Sequence, residues 1–279
     1  MEIAPLSSAL GGEVKGVDLS QEMSAELWQD IHDVWLEYKV LVFRNQDLSE
    51  ESHLRFAKSF GELQPVRSAT HIVGDDQPFM YIANRPVNGV PGILPNGEMH
   101  FHNDQSYYEF PCKAAFLHAL EIPKQGGNTM FLNTVKAYEM LDNELKEKLS
   151  GLSVFNVYDY DRNPTAPSDV YDAEAPQFTH PLVIEPPETG EAALFTSRLM
   201  SHHIVGMERA ESDALLNQLF DHAEGLALRY EHVWQIGDLV MWDNFASQHA
   251  RTDFDPEETR VMRRITVAGS RPVGLGVAA

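Results

Sequence analysis

Met99-His100-Phe101-His102-Asn103-Asp104-Gln105-Ser106-Tyr107-Tyr108 alternates in character and predicts a strand over 99–108. Side chains change face at every residue of a strand, so His102 and Asp104 project the same way and can reach one ion. A third ligand has to come from another strand or loop. His249 follows a predicted strand at 238–242 and the turn-forming pair Asp243-Asn244. Two imidazoles and one carboxylate hold one face of a divalent iron and leave the other open, the ligand set of non-heme Fe(II) oxygenases. Neither piece is specific alone. A His-x-Asp arises by chance in a chain with 12 histidines, and His249 by itself reads as a polar loop residue. Arg260 and Arg264 add weight, because a guanidinium fixes a dicarboxylate by a bidentate pair. Four residues apart on a strand, they share a face, and Arg263 beside them is expected on a solvated one.

Working outward, short strand signals dominate: 13–19, 40–43, 114–122, 128–132, 181–185, 192–196, 227–233 and 261–268. Helices interrupt them. Ser24, Ser49, Asp142 and Ser212 stand where N-caps belong, and Gly61 where the second helix should end. The pattern predicts a mainly β protein with flanking helices on a double-stranded β-helix, or jelly-roll, core. One domain spanning 1–279 is expected. Residues 64–99, rich in proline and glycine, are expected to form an active-site lid, and about 133–180 a helical insert, irregular from 158 to 179.

The 279 residues are 43% hydrophobic, enough for a sizeable core. Asp and Glu number 42 against 21 Lys and Arg, a net charge of −21. Such a surface repels phosphate backbones and anionic bilayers, so neither nucleic acid nor membrane is an expected partner. A single cysteine, Cys112, excludes an internal disulfide and a cysteine-based metal site. No apolar run of spanning length and no signal segment is legible at the start, so a cytoplasmic protein is expected. A homo-oligomer is expected too.

Longer segments carry a resemblance. Phe101-His102-Asn103-Asp104-Gln105-Ser106-Tyr107, Ile122-Pro123-Lys124-Gln125-Gly126-Gly127-Asn128-Thr129, Gly237-Asp238-Leu239-Val240-Met241-Trp242-Asp243-Asn244 and the stretch 249–264 occur in a characteristic order. With Gly11-Gly12-Glu13-Val14-Lys15-Gly16-Val17-Asp18-Leu19 and Phe60-Gly61-Glu62-Leu63, they resemble the taurine/2,4-D dioxygenase family of Fe(II)/2-oxoglutarate oxygenases along nearly the whole chain. The resemblance implies that His102, Asp104 and His249 bind Fe(II). It implies that Thr129 and Arg260 hold the distal carboxylate of 2-oxoglutarate, and that Arg264 helps bind the cosubstrate or an anionic group of the substrate. It further implies consumption of O2, release of succinate and CO2, and hydroxylation of a small organic molecule, with carbon–heteroatom cleavage where the hydroxylated carbon collapses. Phe101 departs from the tryptophan often found at that position.

For the primary substrate the sequence offers candidates only. Arg67, His71, Tyr81, Asn84 and Arg85 fall in the lid; Tyr107, Tyr108 and Phe110 follow the His-x-Asp; Met200 stands where relatives place an apolar residue. His100 shares strand parity with His102 and so is expected to face substrate or to serve as a structural partner. His202 and His203 read as structural or lid residues. A small organic acid is favoured by the arginines, and a cationic amine against the aromatic rings is the rival. A non-oxidative, cupin-like metal protein is the alternative of another class. It would have no use for a dicarboxylate site.

Overall fold

The computed structural model describes residues 1–65, 79–94, 97–158, 171 and 173–276. A seven-stranded sheet runs in the order β1 (Glu2–Pro5), β2 (Gly12–Lys15), β3 (Val40–Phe43), β14 (Leu239–Asp243), β6 (Cys112–Glu121), β16 (Val261–Ala268) and β4 (Met80–Ala83). Among the described strands only β2 and β3 pair in parallel. Several of these strands are apolar at consecutive positions, which requires cover on both faces. On one face Leu41, Phe43, Phe116, Leu239, Met241 and Ile265 pack against α1 (Ala25–Tyr38) and α2 (Glu50–Lys58). On the other, Val40, Val42, Leu117, Val240, Trp242 and Met262 form the inner core. Each large apolar side chain so buried contributes about 1.5–3 kcal/mol.

A four-stranded sheet closes the inner core, in the order β13 (Arg229–His232), β7 (Thr129–Asn133), β15 (Ser247–Arg251), β5 (Met99–His102). Phe131 of β7 meets Trp242 of β14 with ring centroids 5.6 Å apart. Behind this sheet, Phe101, Leu132 and Ala250 pack with α3 (Thr134–Glu139), α4 (Asn143–Leu149) and α5 (Arg209–Ala223). Smaller sheets, β12 (Ser201–Ile204) with β8 (Ser153–Val157) and β9 (Gln177–Pro181), and β10 (Val183–Ile184) with β11 (Ala193–Leu194), extend the edges. The result is the expected jelly roll. No helix among the described residues is long and apolar enough to cross a membrane.

Local chemistry explains the element ends. Ser24 Oγ accepts from Leu27 N at 3.1 Å, as an N-cap should. Lys39 ends α1 in the left-handed region (φ 64°), so the chain reverses straight into β3. Other expectations need correction. Ser212 does not cap α5, which begins at Arg209; its Oγ accepts instead from Ile204 N at 2.8 Å and ties the helix to β12. The helix opened by Ser49 ends at Lys58, before Gly61. The strand expected over 99–108 stops at His102. Within the expected lid, Met80–Ala83 is an edge strand of the main sheet, and 66–78 and 95–96 lie outside the described residues. Within the stretch expected to be irregular, Gln177 to Thr179 belong to β9, while 159–170 and 172 lie outside the described residues.

Candidate active site

The candidate ligand triad is assembled by three elements. His102 ends β5, Asp104 follows it in a turn, and His249 sits opposite His102 on β15. His102 Nε2 lies 3.8 Å from Asp104 Oδ1, and His249 Nε2 lies 3.8 Å from Asp104 Oδ2. The candidate ligand atoms all fall within 4.8 Å of one another, close enough for one ion to join them. His102 Nδ1 lies 2.9 Å from the His100 carbonyl, which leaves Nε2 as a lone-pair donor towards the centre.

Asp104 is held by its backbone. Its N–H donates to Asn244 Oδ1 at 2.7 Å, and its carbonyl accepts from Asn244 Nδ2 at 2.9 Å. Asn103 Nδ2 donates to the carbonyls of Asn244 and Ser247. Gln105 takes a left-handed conformation (φ 60°), which turns the chain away from the site immediately after the carboxylate.

Electrostatics suit an ion. Burial lowers the pKa of His102 and pushes His249 down to about 3, with the neighbouring His102 adding to the latter. Both imidazoles are therefore neutral near neutral pH. Burial alone would raise Asp104, but Arg264, His249 and His102 together hold it below its ordinary value. Arg264 forms an ion pair with Asp104 Oδ2.

A cavity of about 160 Å³ opens from the triad. Arg264, Arg260, Arg251 and Thr129 supply its polar lining. Met80, Ile82, Ile93, Leu94, Met99, Leu199 and Met200 supply an apolar wall, with Tyr107 and Tyr158 beside it. Arg260 is buried, its Nε donates to the Gly127 carbonyl at 3.1 Å, and its Nη1 has no partner among the described residues. Burial pushes this guanidinium down to about 9. A buried cation without a counter-charge is costly, and a ligand carboxylate would relieve it. Thr129 Oγ1 accepts from Trp234 Nε1 at 3.0 Å, so its own proton remains available to an anion.

A family model described as taurine catabolism dioxygenase TauD, TfdA family, matches residues 2–266. The chain belongs to this family. Among its relatives, an (S)-phenoxypropionate/alpha-ketoglutarate-dioxygenase of Sphingobium herbicidovorans is 34% identical, aligned over 96% of this chain and 95% of the relative. An alkylsulfatase of Acinetobacter baylyi is 32% identical over 98% and 87%. Among solved structures, a taurine dioxygenase from Burkholderia xenovorans matches with a TM-score of 0.82 and 31% identity over 98% of this chain and 93% of that one. AAD-2, in complex with Mn(II) and N-oxalylglycine, matches with a TM-score of 0.81 and 29% identity over 98% and 99%. As a member of the TauD/TfdA family the chain is a 2-oxoglutarate-dependent dioxygenase of small organic substrates.

The remaining expected residues separate. Tyr107 and Met200 line the cavity. His100 does not line it, because a bulge between His249 and Arg251 pairs Arg251 with Met99 and reverses the parity of β5, so Met99 takes the inward position. Arg67 and His71 lie outside the described residues. Tyr81 donates to Glu50, Asn84 donates to the carbonyls of Pro256 and Glu258, and Arg85 pairs with Glu121, all away from the cavity. Tyr108 packs on Tyr107 at 4.8 Å, and Phe110 is exposed. Arg263 is not solvated. It faces α2, donating through Nη2 to the Leu48 and Ser49 carbonyls and through Nε to His53. Arg251, Tyr158 and Leu199 were missed, and within the expected lid the lining residues Met80, Ile82, Ile93 and Leu94 were not singled out; for Arg251, strand parity with His249 was the available signal.

Proposed function

We propose that this dioxygenase holds Fe(II) through His102, Asp104 and His249, and oxidises an anionic organic molecule with an apolar body. The observation that carries this is the make-up of one cavity: a neutral–neutral–anionic candidate ligand set, a buried guanidinium whose Nη1 has no partner among the described residues, and an apolar wall. When bound, Fe(II) supplies the redox chemistry that couples O2 to decarboxylation of 2-oxoglutarate and oxidation of substrate. The protein's own groups position the partners. Arg260 and Thr129 fix the distal carboxylate of the cosubstrate, which aims its keto acid end at the triad. Arg264, held against Asp104, faces the metal side and offers its remaining donors to a second anion. Met99, Leu199, Met200 and Tyr107 surround the substrate body and exclude water. The described stretch 79–94 covers one side of the cavity, with Met80, Ile82, Ile93 and Leu94 in its wall.

The three arginines oppose a cationic amine, since a positive charge would enter beside like charges. Relatives named for phenoxypropionate and for alkyl sulfate make aryloxy acids and alkyl sulfate esters the first compounds to try. One oxygen atom of O2 enters succinate and the other the substrate. If the oxidised carbon bears an ether or ester oxygen, its hydroxylated form collapses to a carbonyl compound and a phenol or sulfate. The test is succinate release from 2-oxoglutarate with Fe(II) under air, screened across such acids and against choline-like amines. Stimulation by acids is expected. Stimulation by amines alone would overturn the anionic reading, and no succinate with any compound would overturn the cosubstrate.

A further inference from the structure

Arg251 lies two residues beyond His249 on β15 and projects to the same side of the sheet. It is buried and lines the same cavity as Arg260 and Thr129. Its register partner on β7 is Thr129 itself. Directly opposed residues of an antiparallel pair have Cβ atoms about 4.5–5.5 Å apart, on one face. Arg260 approaches the same strand from the other direction, its Nε on the carbonyl of Gly127, two residues before Thr129. Gly127 leaves room for it, since a Cβ there would lie 3.2 Å from Arg260 Cδ. Backbone bonds from Gly127 N to the Asp253 carbonyl and from Thr252 N to the Asn128 carbonyl lock the two segments together. Three side chains thus line one cavity from adjoining positions, with Arg251 near enough to Arg260 for its charge to act on it.

We propose that Arg251 is a second cation for the distal carboxylate of 2-oxoglutarate, so that two guanidiniums and the Thr129 hydroxyl hold that group together. This rests on the cosubstrate assignment above and deepens it. The positive charge of Arg251 also adds to the burial that depresses Arg260, as expected of neighbouring cations. Two like charges lining one buried pocket attract a second carboxylate more strongly than one does. The pocket therefore selects keto diacids over keto monoacids more strongly than one arginine would. Arg251 Nη2 also holds the Gly97 carbonyl, so the same guanidinium fixes the chain entering β5, whose end carries His102.

The test is anaerobic titration calorimetry of the Fe(II)-loaded protein with 2-oxoglutarate and, separately, with pyruvate, which chelates alike but lacks the distal carboxylate. In Arg251→Gln the affinity for 2-oxoglutarate should fall about tenfold or more, while pyruvate binds as in the wild type. Arg251→Lys should recover most of the loss. Unchanged 2-oxoglutarate affinity in Arg251→Gln would overturn the proposal. So would an equal loss for both keto acids, which marks a structural role alone. If the wild type bound pyruvate and 2-oxoglutarate equally, the distal site itself would be absent and the cosubstrate assignment would fall with it.

Discussion

Arg260 and Arg263 show how three residues change the meaning of a side chain. Both are buried. Arg263 spends its donors on carbonyls of the α2 entry, so its charge is solvated by the protein. Arg260 has no partner for Nη1 among the described residues, a cost that an arriving anion would relieve. Arg260→Ala should weaken 2-oxoglutarate binding by about 2–5 kcal/mol, the range for truncating one partner of a buried charge pair. Anaerobic calorimetry would measure it. Equal affinity in the variant would shift the anchor to Arg251 and Arg264. The sequence assigned Arg260 and Arg264 to one face correctly, because parity is a property of any strand. It placed Arg263 in solvent wrongly, because parity does not tell whether the second face is covered, and here α2 covers it.

Among elements, those with a strong local signature were legible. Val40–Phe43 is apolar throughout, and α1 has both its cap and its periodic face. Strands β1, β4, β8, β9, β12 and β15 were missed because they are short and draw their stability from pairing with other strands. His100 failed for a subtler reason: one bulge exchanges the faces of β5, and no sequence periodicity announces a bulge. The cap of α1 offers a clean check. Ser24→Ala removes the hydrogen bond to Leu27 N and should cost about 1 kcal/mol, lowering the melting temperature by a few degrees. The Michaelis constant for 2-oxoglutarate should not move. A changed constant would mean that α1 communicates with the cavity through the main sheet.

At the scale of the whole molecule, acid sensitivity follows from its histidines. Burial lowers the pKa of His53, His118, His180 and His232, with His180 at about 4. Above the ordinary value near 6.5, both folded and unfolded chains hold these groups neutral, and stability does not depend on them. Below it the unfolded chain takes up protons that the folded one refuses. Each such group then costs up to about 1.4 kcal/mol per pH unit, until the folded pKa is reached. Asp243, pushed up to about 6 by burial, works in the opposite sense but is one group against four. Calorimetric melting should therefore drop steeply from pH 6.5 towards pH 4, and a flat profile there would refute the account. The net charge of −21 was legible, as was the inward placement of arginines against it. The size and walls of the cavity were not, since they depend on which long-range pairs close the sheets.

The Asn244 side chain grips the backbone of Asp104 from the turn between β14 and β15, the turn that leads to His249. Two distant parts of the chain are thereby latched directly to one another. The chain between them carries Tyr107, Tyr158, Leu199 and Met200, the residues that would meet a substrate. Lineages can thus reshape the segments that carry these four residues, outside β6 and β7, while inheriting an undisturbed reaction centre. Novelty in what is oxidised becomes separable from the machinery of oxidation, and one small amide is the hinge on which that freedom turns.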